Sequence, residues 1–414
     1  MKKKRVAILG STGSIGTQAL DVIAAHRDRF EVVGLAAGRN VALLREQRKR
    51  FDPEVATSAD DGPAGLLRVA IETRPDVVLA ATDGAVAFDA VLAAIERGTD
   101  VAVANKELIV AAGEVMLAAA ARSGSALLPV DSEHSALFQC LVGEDPAAVA
   151  AIVLTASGGP FRTATAAEMA EATLERALAH PTWRMGTKNT IDSATMMNKG
   201  LEAIEASRLF GQPGERVLIA VHPQSIAHGF VVFTDGSVKG QLCAPDMRIP
   251  IGYALAYPQR LPTLRQAQRD TREPCHADKE PCHPDKEPCH PDKEPCHPEL
   301  VEGLDPLGIL GGKPQADSLR YDFERPDFER FPCLRLAYQA LARGGTAPAV
   351  LSAANEVAVR SFVEGRVRFG EIARIIETTL ERVAHRDATL AHIREADSDA
   401  RLAAAEYVED IRCC

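Results

Sequence analysis

The sequence of 414 residues contains no apolar run that approaches the length of a membrane span. Its start, MKKKRVAILGSTG, has basic residues but only four consecutive apolar residues before a glycine, so it lacks the apolar core of a signal peptide. These two absences predict a cytoplasmic protein. In that compartment most of the nine cysteines would stay as thiols.

An excess of positive charge is also missing. The formal net charge is -10 and the pI is near 5.6, which argues against nucleic acid or an anionic membrane as a partner. A local basic pocket for a phosphorylated small molecule is compatible with this charge. A chain of this length is too long for one core and should divide into two or three domains.

The amino-terminal third has the pattern of a strand, a glycine loop and a helix. Residues 6–9 form a short apolar run, and Gly10, Gly13 and Gly16 lead into an amphipathic segment that extends to Ala25. Glycine lets the backbone approach a pyrophosphate closely, and a helix amino terminus offers it unpaired N–H groups. Because the spacing is G-x-x-G-x-x-G, a glycine turn without a nucleotide is the alternative.

Further strands are predicted at residues 31–36, 76–80, 100–104 and 126–130, with helical patterns between them. This alternation is typical of a doubly wound parallel sheet, that is, a Rossmann-like α/β domain. In such a sheet, ligands bind at the edge formed by the carboxyl ends of the strands. The context therefore strengthens the prediction of a dinucleotide site.

The end of the second predicted strand distinguishes between NAD and NADP. A carboxylate there would accept from the ribose 2'-hydroxyl of NAD, whereas this sequence offers Gly38, Arg39 and Asn40. A cation and an amide suit the 2'-phosphate of NADP, so we predict NADPH as cofactor. The alternative is that Arg39 is an ordinary surface arginine.

Asn105, Lys106 and Glu107 follow another predicted strand at the same edge of the sheet. The Lys106 ammonium could polarise a substrate oxygen. The alternative is a loop lysine that pairs with Glu107 in solvent, which would contribute little.

Three carboxylates could bind one divalent cation. Asp131 and Glu133 come two apart at the end of the apolar run 126–130, so both point to one face if that run is a strand. Asn198 and Glu202 are four apart among good helix formers, which places them on one helical face. An all-oxygen set favours magnesium or manganese over zinc. The alternative is an exposed strand end and a solvated helix.

Small and polar residues predict a phosphate site in the middle of the chain. A strand-like run that begins at Ala151 ends in a serine and two glycines at residues 157–159. Ser193, Asn198 and Lys199 add a hydroxyl, an amide and an ammonium close to the third carboxylate. The serine-glycine turn alone is unspecific.

The segment HPTWRMGTKNT between these clusters contains the only tryptophan, Trp183. A lone tryptophan is more often part of a core, but in a polar loop it could act as a lid that excludes water. His180, His222 and His228 are the histidines to examine. Each is more often structural than catalytic unless it lies near the carboxylates.

In sequence order, the chain carries LGSTGSIGTQAL, AGRNV, NKE, PVDSEHSALFQCL, ASGGPF, HPTWRMG, DSATMMNKGLEAIEA, HPQSIAHG and PDMRIPI. Together these motifs resemble the 1-deoxy-D-xylulose 5-phosphate reductoisomerase family of the non-mevalonate isoprenoid pathway. The resemblance spans nearly the whole chain outside one insertion. It implies an NADPH domain at 1–130, a central α+β catalytic domain at 131–258, a linker at 259–325 and a helical bundle domain at 326–414.

The resemblance also implies roles for individual residues. The metal ligands would be Asp131, Glu133 and Glu202, and the substrate phosphate would be held by Ser157, Ser193, Asn198 and Lys199. Ser132, Lys106 and His180 would contact the reacting part of the substrate, with His228 nearby and with Trp183 and Met185 in the closing loop. The NADPH site would be lined by Thr12, Gly13, Ser14, Ile15, Gly38, Arg39, Asn40, Asn105, Glu107 and Met247, beside Gly10. Glu133, Lys106, His180 and His228 form the candidate catalytic set.

The implied activity is the conversion of 1-deoxy-D-xylulose 5-phosphate, a small phosphorylated sugar, to 2-C-methyl-D-erythritol 4-phosphate. NADPH, one magnesium or manganese ion per subunit and a homodimer would accompany it. Two alternatives stay open at this point, an NADP-dependent dehydrogenase of another phosphorylated polyol and a non-catalytic metal-binding protein. One departure is visible, because a serine is expected after NKE and this chain has Leu108.

Residues 273–300 repeat a seven-residue unit, EPCHADK, EPCHPDK, EPCHPDK and EPCHPEL. Such a proline-rich stretch with almost no apolar residues cannot bury a core and should be extended or disordered. Its Cys-His pairs suggest zinc, but the repetition is more typical of an inserted DNA element. Beyond it, apolar residues at 369, 372, 376, 380 and 383 predict an amphipathic helix in a small bundle.

Overall fold

Six parallel strands form the first sheet of the computed structural model, which describes residues 2–183, 185–262 and 321–412. The strands are β1 (Lys4–Leu9), β2 (Phe30–Ala36), β3 (Val55–Thr57), β4 (Val77–Ala80), β5 (Asp100–Val103) and β6 (Leu127–Pro129). They lie in the order β3-β2-β1-β4-β5-β6, and all neighbours pair in parallel. The order reverses between β1 and β4, which is where doubly wound sheets bind ligands.

Helices cover both faces of this sheet. They are α1 (Ser14–Ala25), α2 (Val41–Phe51), α3 (Gly62–Leu67), α4 (Phe88–Glu96) and α5 (Lys106–Ser123), with a 3-10 turn at Ala59–Asp61 and a π-helical turn at Arg68–Glu72. Val6 and Ile8 of β1 share an apolar cluster with α1, whereas Ala7 and Leu9 share one with α4. A strand buried on both faces reads as a continuous apolar run, which is why residues 6–9 are recognisable in the sequence.

The second sheet contains β7 (Val149–Ala156), β8 (Val217–Val221), β9 (Ala227–Phe233) and β10 (Val238–Leu242) in the order β10-β9-β7-β8. Strands β7 and β8 are parallel, and the other pairs are antiparallel. The helices of this region are α6 (Ser132–Leu141), α7 (Ala166–Ala170), α8 (Leu174–Leu178), α9 (Thr187–Ala194), α10 (Met197–Leu209) and α11 (Arg248–Ala256), with 3-10 turns at Pro146–Ala148 and Gly214–Arg216.

The carboxyl-terminal helices are α12 (Pro332–Arg343), α13 (Ala347–Val363), α14 (Glu371–Arg382) and α15 (Leu390–Arg412). Helix α10 is buried between them and the second sheet. Ala203 and Ala206 pack in the cluster of the sheet, while Leu201 and Ile204 pack in the cluster of the helices. This two-sided burial fixes the helix that carries the third candidate ligand.

The predicted fold class is confirmed. A parallel Rossmann-like sheet and a helical carboxyl-terminal region are both present. Three residues of the predicted apolar stripe, Ile372, Ile376 and Leu380, lie on α14, and Phe369 and Val383 lie just outside its ends. The domain boundaries stay a prediction. Helix α11 falls within the predicted catalytic domain at 131–258, but its residues Ile251 and Leu255 pack against the first sheet. Within the described ranges no helix is both long and apolar enough to cross a membrane. The Cys-His repeat and its zinc hypothesis lie outside the described residues.

Candidate active site

Two of the three candidate ligands lie at the start of a helix. Strand β6 ends at Pro129, Asp131 is the N-cap of α6, and Glu133 lies in its first turn. The expectation that strand alternation places both carboxylates on one face is therefore wrong, because the chain has already turned into a helix. The helix amino terminus favours these negative charges instead.

Glu202 joins them from α10. In the described part of the chain, one oxygen each from Asp131, Glu133 and Glu202 lie within 4.8 Å of one another. Asn198 donates its side-chain amide to Glu202 Oε1 at 2.5 Å, so the prediction that these two residues share one helical face is confirmed. The interpretation as a strand end plus a solvated helix fails, because the Glu202 side chain is 1% exposed.

The Lys106 ammonium lies inside this carboxylate cluster. Its Nζ is 2.5 Å from Asp131 Oδ2, and it donates to Glu202 Oε1 at 3.1 Å and to Asn198 Oδ1 at 2.9 Å. Burial lowers the pKa of Lys106, but the surrounding carboxylates outweigh burial and raise that pKa well above its usual value. The alternative of a solvent-exposed pair with Glu107 is wrong. Lys106 is a permanent cation and donor at this site.

Lys199 contributes a second ammonium from the opposite side. Its Nζ donates to Glu133 Oε1 at 2.7 Å and to Glu202 Oε2 at 2.5 Å. Ser132 donates its hydroxyl to the other Glu133 oxygen at 2.5 Å. Burial raises the pKa of Glu133, but Lys199 and the hydrogen bonds overcome burial and lower this pKa to about 2.

The Glu202 carboxyl has the opposite balance. Burial and the neighbouring charge of Glu133 raise its pKa to about 7, although Lys106 and Lys199 act against this shift. Three carboxylates therefore share two ammonium groups. A bound cation would balance the third negative charge, so that Glu202 would not have to be protonated in the buried cluster.

A second group of possible ligands consists of Asp131, His134 and Glu205. The sequence did not point to His134 or Glu205. His134 Nε2 lies 3.0 Å from the Glu202 carbonyl oxygen and must donate to it, so that nitrogen has no lone pair for a metal. This hydrogen bond supports α10, whereas His134 Nδ1 has no hydrogen-bond partner and keeps its lone pair.

The predicted phosphate turn contains two glycines in backbone conformations that other residues rarely adopt. Gly158 and Gly159 have φ of +84° and +65°, and a Cβ on Gly159 would lie 2.5 Å from the Ser193 carbonyl oxygen. The Gly159 N–H donates to Ser157 Oγ at 3.3 Å. The two serines of the predicted phosphate site are thus brought to one wall of the cavity by close backbone contact.

His180 links this turn to the loop that follows it. Its Nδ1 accepts from the backbone N–H groups of Thr182 and Trp183 at 3.1 and 2.9 Å, so the ring proton lies on Nε2. Nε2 lies 3.0 Å from Ser157 Oγ and donates to it. Burial lowers the pKa of His180, which keeps the ring neutral near pH 7.

Of the other two histidines, only His228 faces the cavity. Burial lowers the pKa of His228 despite the charge of Glu133, and its ring centroid lies 6.3 Å from that of Trp183. His222 is fully buried, stacks on Phe323 and binds the Asp322 carbonyl oxygen through Nδ1. His222 is therefore structural.

The glycine loop has the close backbone contacts that a nucleotide loop requires. Gly10 has a φ of +94°, and a Cβ there would lie 2.2 Å from the Ala81 carbonyl oxygen. A Cβ on Gly16 would lie 2.3 Å from the Gly10 carbonyl oxygen. Only glycine fits either position, which brings α1 close to the end of β1 as dinucleotide-binding turns do.

Gly38, Arg39 and Asn40 follow β2 and are exposed, as a site for a 2'-phosphate requires. The Asn40 side chain accepts from the Leu43 N–H at 3.1 Å and so caps α2. Because this oxygen is already engaged, Arg39 is the better candidate for a phosphate contact.

The residues after β5 include two buried side chains, Asn105 and Glu107, that each form hydrogen bonds within the protein. Asn105 donates to the Gly84 carbonyl oxygen at 2.6 Å, and Glu107 accepts from Lys188 at 2.5 Å. Leu108, at the position where a serine was expected, is buried in the core on the α4 side of the first sheet.

One open cavity brings these parts together. Every predicted metal, substrate and catalytic residue lines it, and so do Ser14, Ile15 and Met247 of the cofactor set. The other cofactor candidates, Gly10, Thr12, Gly13, Gly38, Arg39, Asn40, Asn105 and Glu107, do not line it and follow strand ends along the same sheet edge. Sequence reasoning missed Gln18, Thr155, Asn189, Met196 and Ser225, although all of them except Thr155 lie inside motifs that it used.

Comparison with known families gives a match for most of the chain. The family described as 1-deoxy-D-xylulose 5-phosphate reductoisomerase matches residues 6–68 and 56–113, and its C-terminal domain matches residues 127–210. A further model, the DXP reductoisomerase C-terminal domain, matches residues 305–403.

Relatives of the same name cover nearly the full length. The 1-deoxy-D-xylulose 5-phosphate reductoisomerase of Symbiobacterium thermophilum is 46% identical over 432 residues, covering 98% of each chain. That of Anaeromyxobacter dehalogenans is 46% identical over 398 residues, covering 91% of this chain and 90% of the relative. The chain belongs to the 1-deoxy-D-xylulose 5-phosphate reductoisomerase family.

Solved structures of reductoisomerases agree with this membership. The Zymomonas mobilis reductoisomerase in complex with NADPH is 38% identical, with a TM-score of 0.80 and coverage of 99% of both chains. A DOX-P reductoisomerase in complex with NADPH, fosmidomycin and magnesium is 30% identical, with a TM-score of 0.83 and the same coverage. The comparisons give no support to either alternative function.

Proposed function

We propose that this cavity converts 1-deoxy-D-xylulose 5-phosphate to 2-C-methyl-D-erythritol 4-phosphate, with NADPH and a divalent cation as cofactors. One observation carries the assignment. Three carboxylates, two ammonium groups and a serine-glycine turn converge in one cavity whose wall includes Ser14 and Ile15 of the glycine loop. Relatives that share the family name and nearly the full length of this chain support the same reaction.

The donor set fits magnesium or manganese. Asp131, Glu133 and Glu202 offer hard oxygen ligands within 4.8 Å of one another, and their negative charge exceeds that of the two lysines by one. When bound, the cation would stabilise negative charge that develops on substrate oxygens as a carbon-carbon bond breaks and re-forms.

The two lysines act as cations rather than as bases. The buried Lys106 ammonium, held among carboxylates, donates towards the reacting oxygens and stabilises negative charge there. Lys199 and Asn198 begin α10 beside Ser193, and together they supply an ammonium, an amide and a hydroxyl to the substrate phosphate. Ser157 completes this phosphate site from β7.

The neutral histidines and Trp183 enclose the reacting part of the substrate. His180 donates from Nε2 at the wall of the cavity, and the Trp183 ring lies against His228 and limits water access. When bound, NADPH would supply the hydride that reduces the rearranged aldehyde. The close turn at Gly10 and Gly16 would hold its pyrophosphate at the start of α1.

Product identity tests this function. Carbon-13 NMR should find a branched methylerythritol phosphate after incubation with 1-deoxy-D-xylulose 5-phosphate, NADPH and magnesium. An unbranched reduced pentitol phosphate would instead support a plain dehydrogenase.

Cofactor choice should depend on Arg39. The Arg39→Asp variant is expected to weaken NADPH binding by more than about tenfold, or ~1.4 kcal/mol, because repulsion replaces a phosphate contact. Binding of NADH should suffer less. Titration of both cofactors measures this, and Arg45→Asp on the exposed side of α2 makes the same charge change as a control. An equal loss for both cofactors would mean that Arg39 does not face the 2'-phosphate.

We also propose a homodimer and a cytoplasmic location. The dimer is supported by β10, an edge strand on which Val238 is 56% and Leu242 is 37% exposed. The location is supported by the free thiols of Cys140, Cys243 and Cys333, as expected of a reducing compartment. Sedimentation analysis measures the first, and fractionation of the source cells measures the second.

A further inference from the structure

A second buried ion pair lies beside the site and has no part in the chemistry above. Lys188, the second residue of α9, donates to Glu107 Oε1 at 2.5 Å and to Asp192 Oδ2 at 2.7 Å. The three side chains are 23%, 10% and 1% exposed, respectively. Breaking such a pair leaves a buried carboxylate without its cation, so the contact strongly constrains the elements that it joins.

The partners of this ammonium come from different parts of the fold. Glu107 lies in the first turn of α5, directly after Lys106, whereas Asp192 lies in α9. Asn355 of α13 donates its amide to the other Asp192 oxygen at 2.8 Å and is fully buried. Lys188 therefore joins α5 of the nucleotide-binding region to α9, and Asp192 joins α9 to the carboxyl-terminal helices.

The start of α5 needs lateral support because the helix is broken. Ala112 has φ of -135° and ψ of 23°, so the segment that carries Lys106 is not a rigid extension of the rest of α5. On one side, the Arg208 guanidinium of α10 donates to the carbonyl oxygens of Ile109 and Val110. The ion pair with Glu107 is the support on the other side.

Helix α9 begins where the loop of the active site ends. Gly186 is its N-cap, and the loop before it places His180, Trp183 and Met185 in the cavity wall. Thr190 donates its hydroxyl to the Gly186 carbonyl oxygen at 3.0 Å, which secures the junction. A shift of α9 relative to α5 would therefore move one wall of the cavity.

We propose that Lys188 is a positioning residue for the reaction assigned above, on which this inference rests. Its ammonium holds the first turn of α5 against α9, so that Lys106 stays directed at the carboxylates and the loop with Trp183 stays at the cavity wall. Burial opposes the charge of Lys188, but Glu107 and Asp192 outweigh burial and raise its pKa above the usual value. The ion pair therefore persists over the working pH range.

Four variants test this role, namely Lys188→Met, Lys188→Arg, Glu107→Gln and the double variant Lys188→Met with Glu107→Gln. We expect Lys188→Met to lower kcat by at least about tenfold, since misplacement by about 1 Å can cost a hundredfold. The KM for NADPH should change much less than kcat. Lys188→Arg should keep most of the wild-type kcat. The double variant should lose no more kcat than the worse single variant, because all of these losses come from the same interaction.

Trp183 gives a readout that does not depend on catalysis. It is the only tryptophan, so its emission and its quenching by acrylamide report on the loop before α9. We expect Lys188→Met and Glu107→Gln to increase quenching to a similar extent. Arg394→Met, which removes an exposed ion pair between α15 and Asp89 of α4, is the control and should change neither turnover nor quenching.

Normal kcat and normal quenching in folded Lys188→Met would overturn the proposal. Additive losses in the double variant would overturn it too, and so would a lower melting temperature with unchanged kcat. If Lys188→Met does not fold, Glu107→Gln tests the proposal by itself. A lower kcat in Glu107→Gln supports the proposal, and a normal kcat overturns it. If the wild type does not oxidise NADPH with the named substrate, the proposed function fails, while the quenching measurements still decide whether Lys188 and Glu107 act together.

Discussion

Replacing Glu202 with glutamine is expected to lower turnover by at least about a hundredfold, or ~2.7 kcal/mol. The change keeps the shape of the side chain but removes one of three negative charges that converge on the proposed metal position. Binding of NADPH should persist, because the glycine loop belongs to another part of the fold. Steady-state kinetics at limiting magnesium measure the loss, and excess manganese should restore part of it.

The control for this variant is Glu381→Gln, which removes the same charge from an exposed position on α14. It should leave turnover and its dependence on magnesium unchanged. Near-normal turnover of Glu202→Gln at limiting magnesium would remove Glu202 from the site.

The second large effect is expected for Gly159→Ala. Its Cβ would lie 2.5 Å from the Ser193 carbonyl oxygen, and the φ of +65° disfavours any side chain. Backbone strain and overpacking together should lower the free energy of unfolding by about 2–4 kcal/mol. Because Ser193 must move, the KM for the phosphorylated substrate should rise by at least about tenfold. Chemical denaturation and steady-state kinetics measure the two effects.

Gly211→Ala is a matched control for the backbone strain. Gly211 has a φ of +62°, but its Cβ would meet no atom within 4 Å. This variant should lose about 1–2 kcal/mol of stability and keep a normal KM. If both variants behave alike, the Gly159 turn does not hold the substrate phosphate.

The first sheet could be predicted because its information is local. Strands buried on both faces appear as apolar runs, and the glycines after β1 mark a turn that only they can make. Strand β3 (Val55–Thr57) escaped prediction, since three residues are too few to establish a period. The apolar stripe on α14 was recognisable for the same reason as the long strands.

The site was predictable in its members but not in its construction. The carboxylates at 131 and 133 were assigned to a strand end, yet they start a helix, because an apolar run does not reveal where the next element begins. Glu202 was a candidate third ligand from its helical spacing to Asn198, but no spacing rule shows that it meets Asp131 and Glu133 across some seventy residues. The contact of Lys188 with Glu107 crosses 81 positions, and no spacing rule connects them.

The central claim is a metal-dependent rearrangement followed by reduction with NADPH, and one assay tests it most directly. NADPH oxidation should be followed at 340 nm with 1-deoxy-D-xylulose 5-phosphate, after chelation and again after magnesium is restored. The account predicts almost no oxidation in the chelated enzyme and full recovery with magnesium. Equal rates in both conditions would contradict it, because the three carboxylates would then have no part in the reaction.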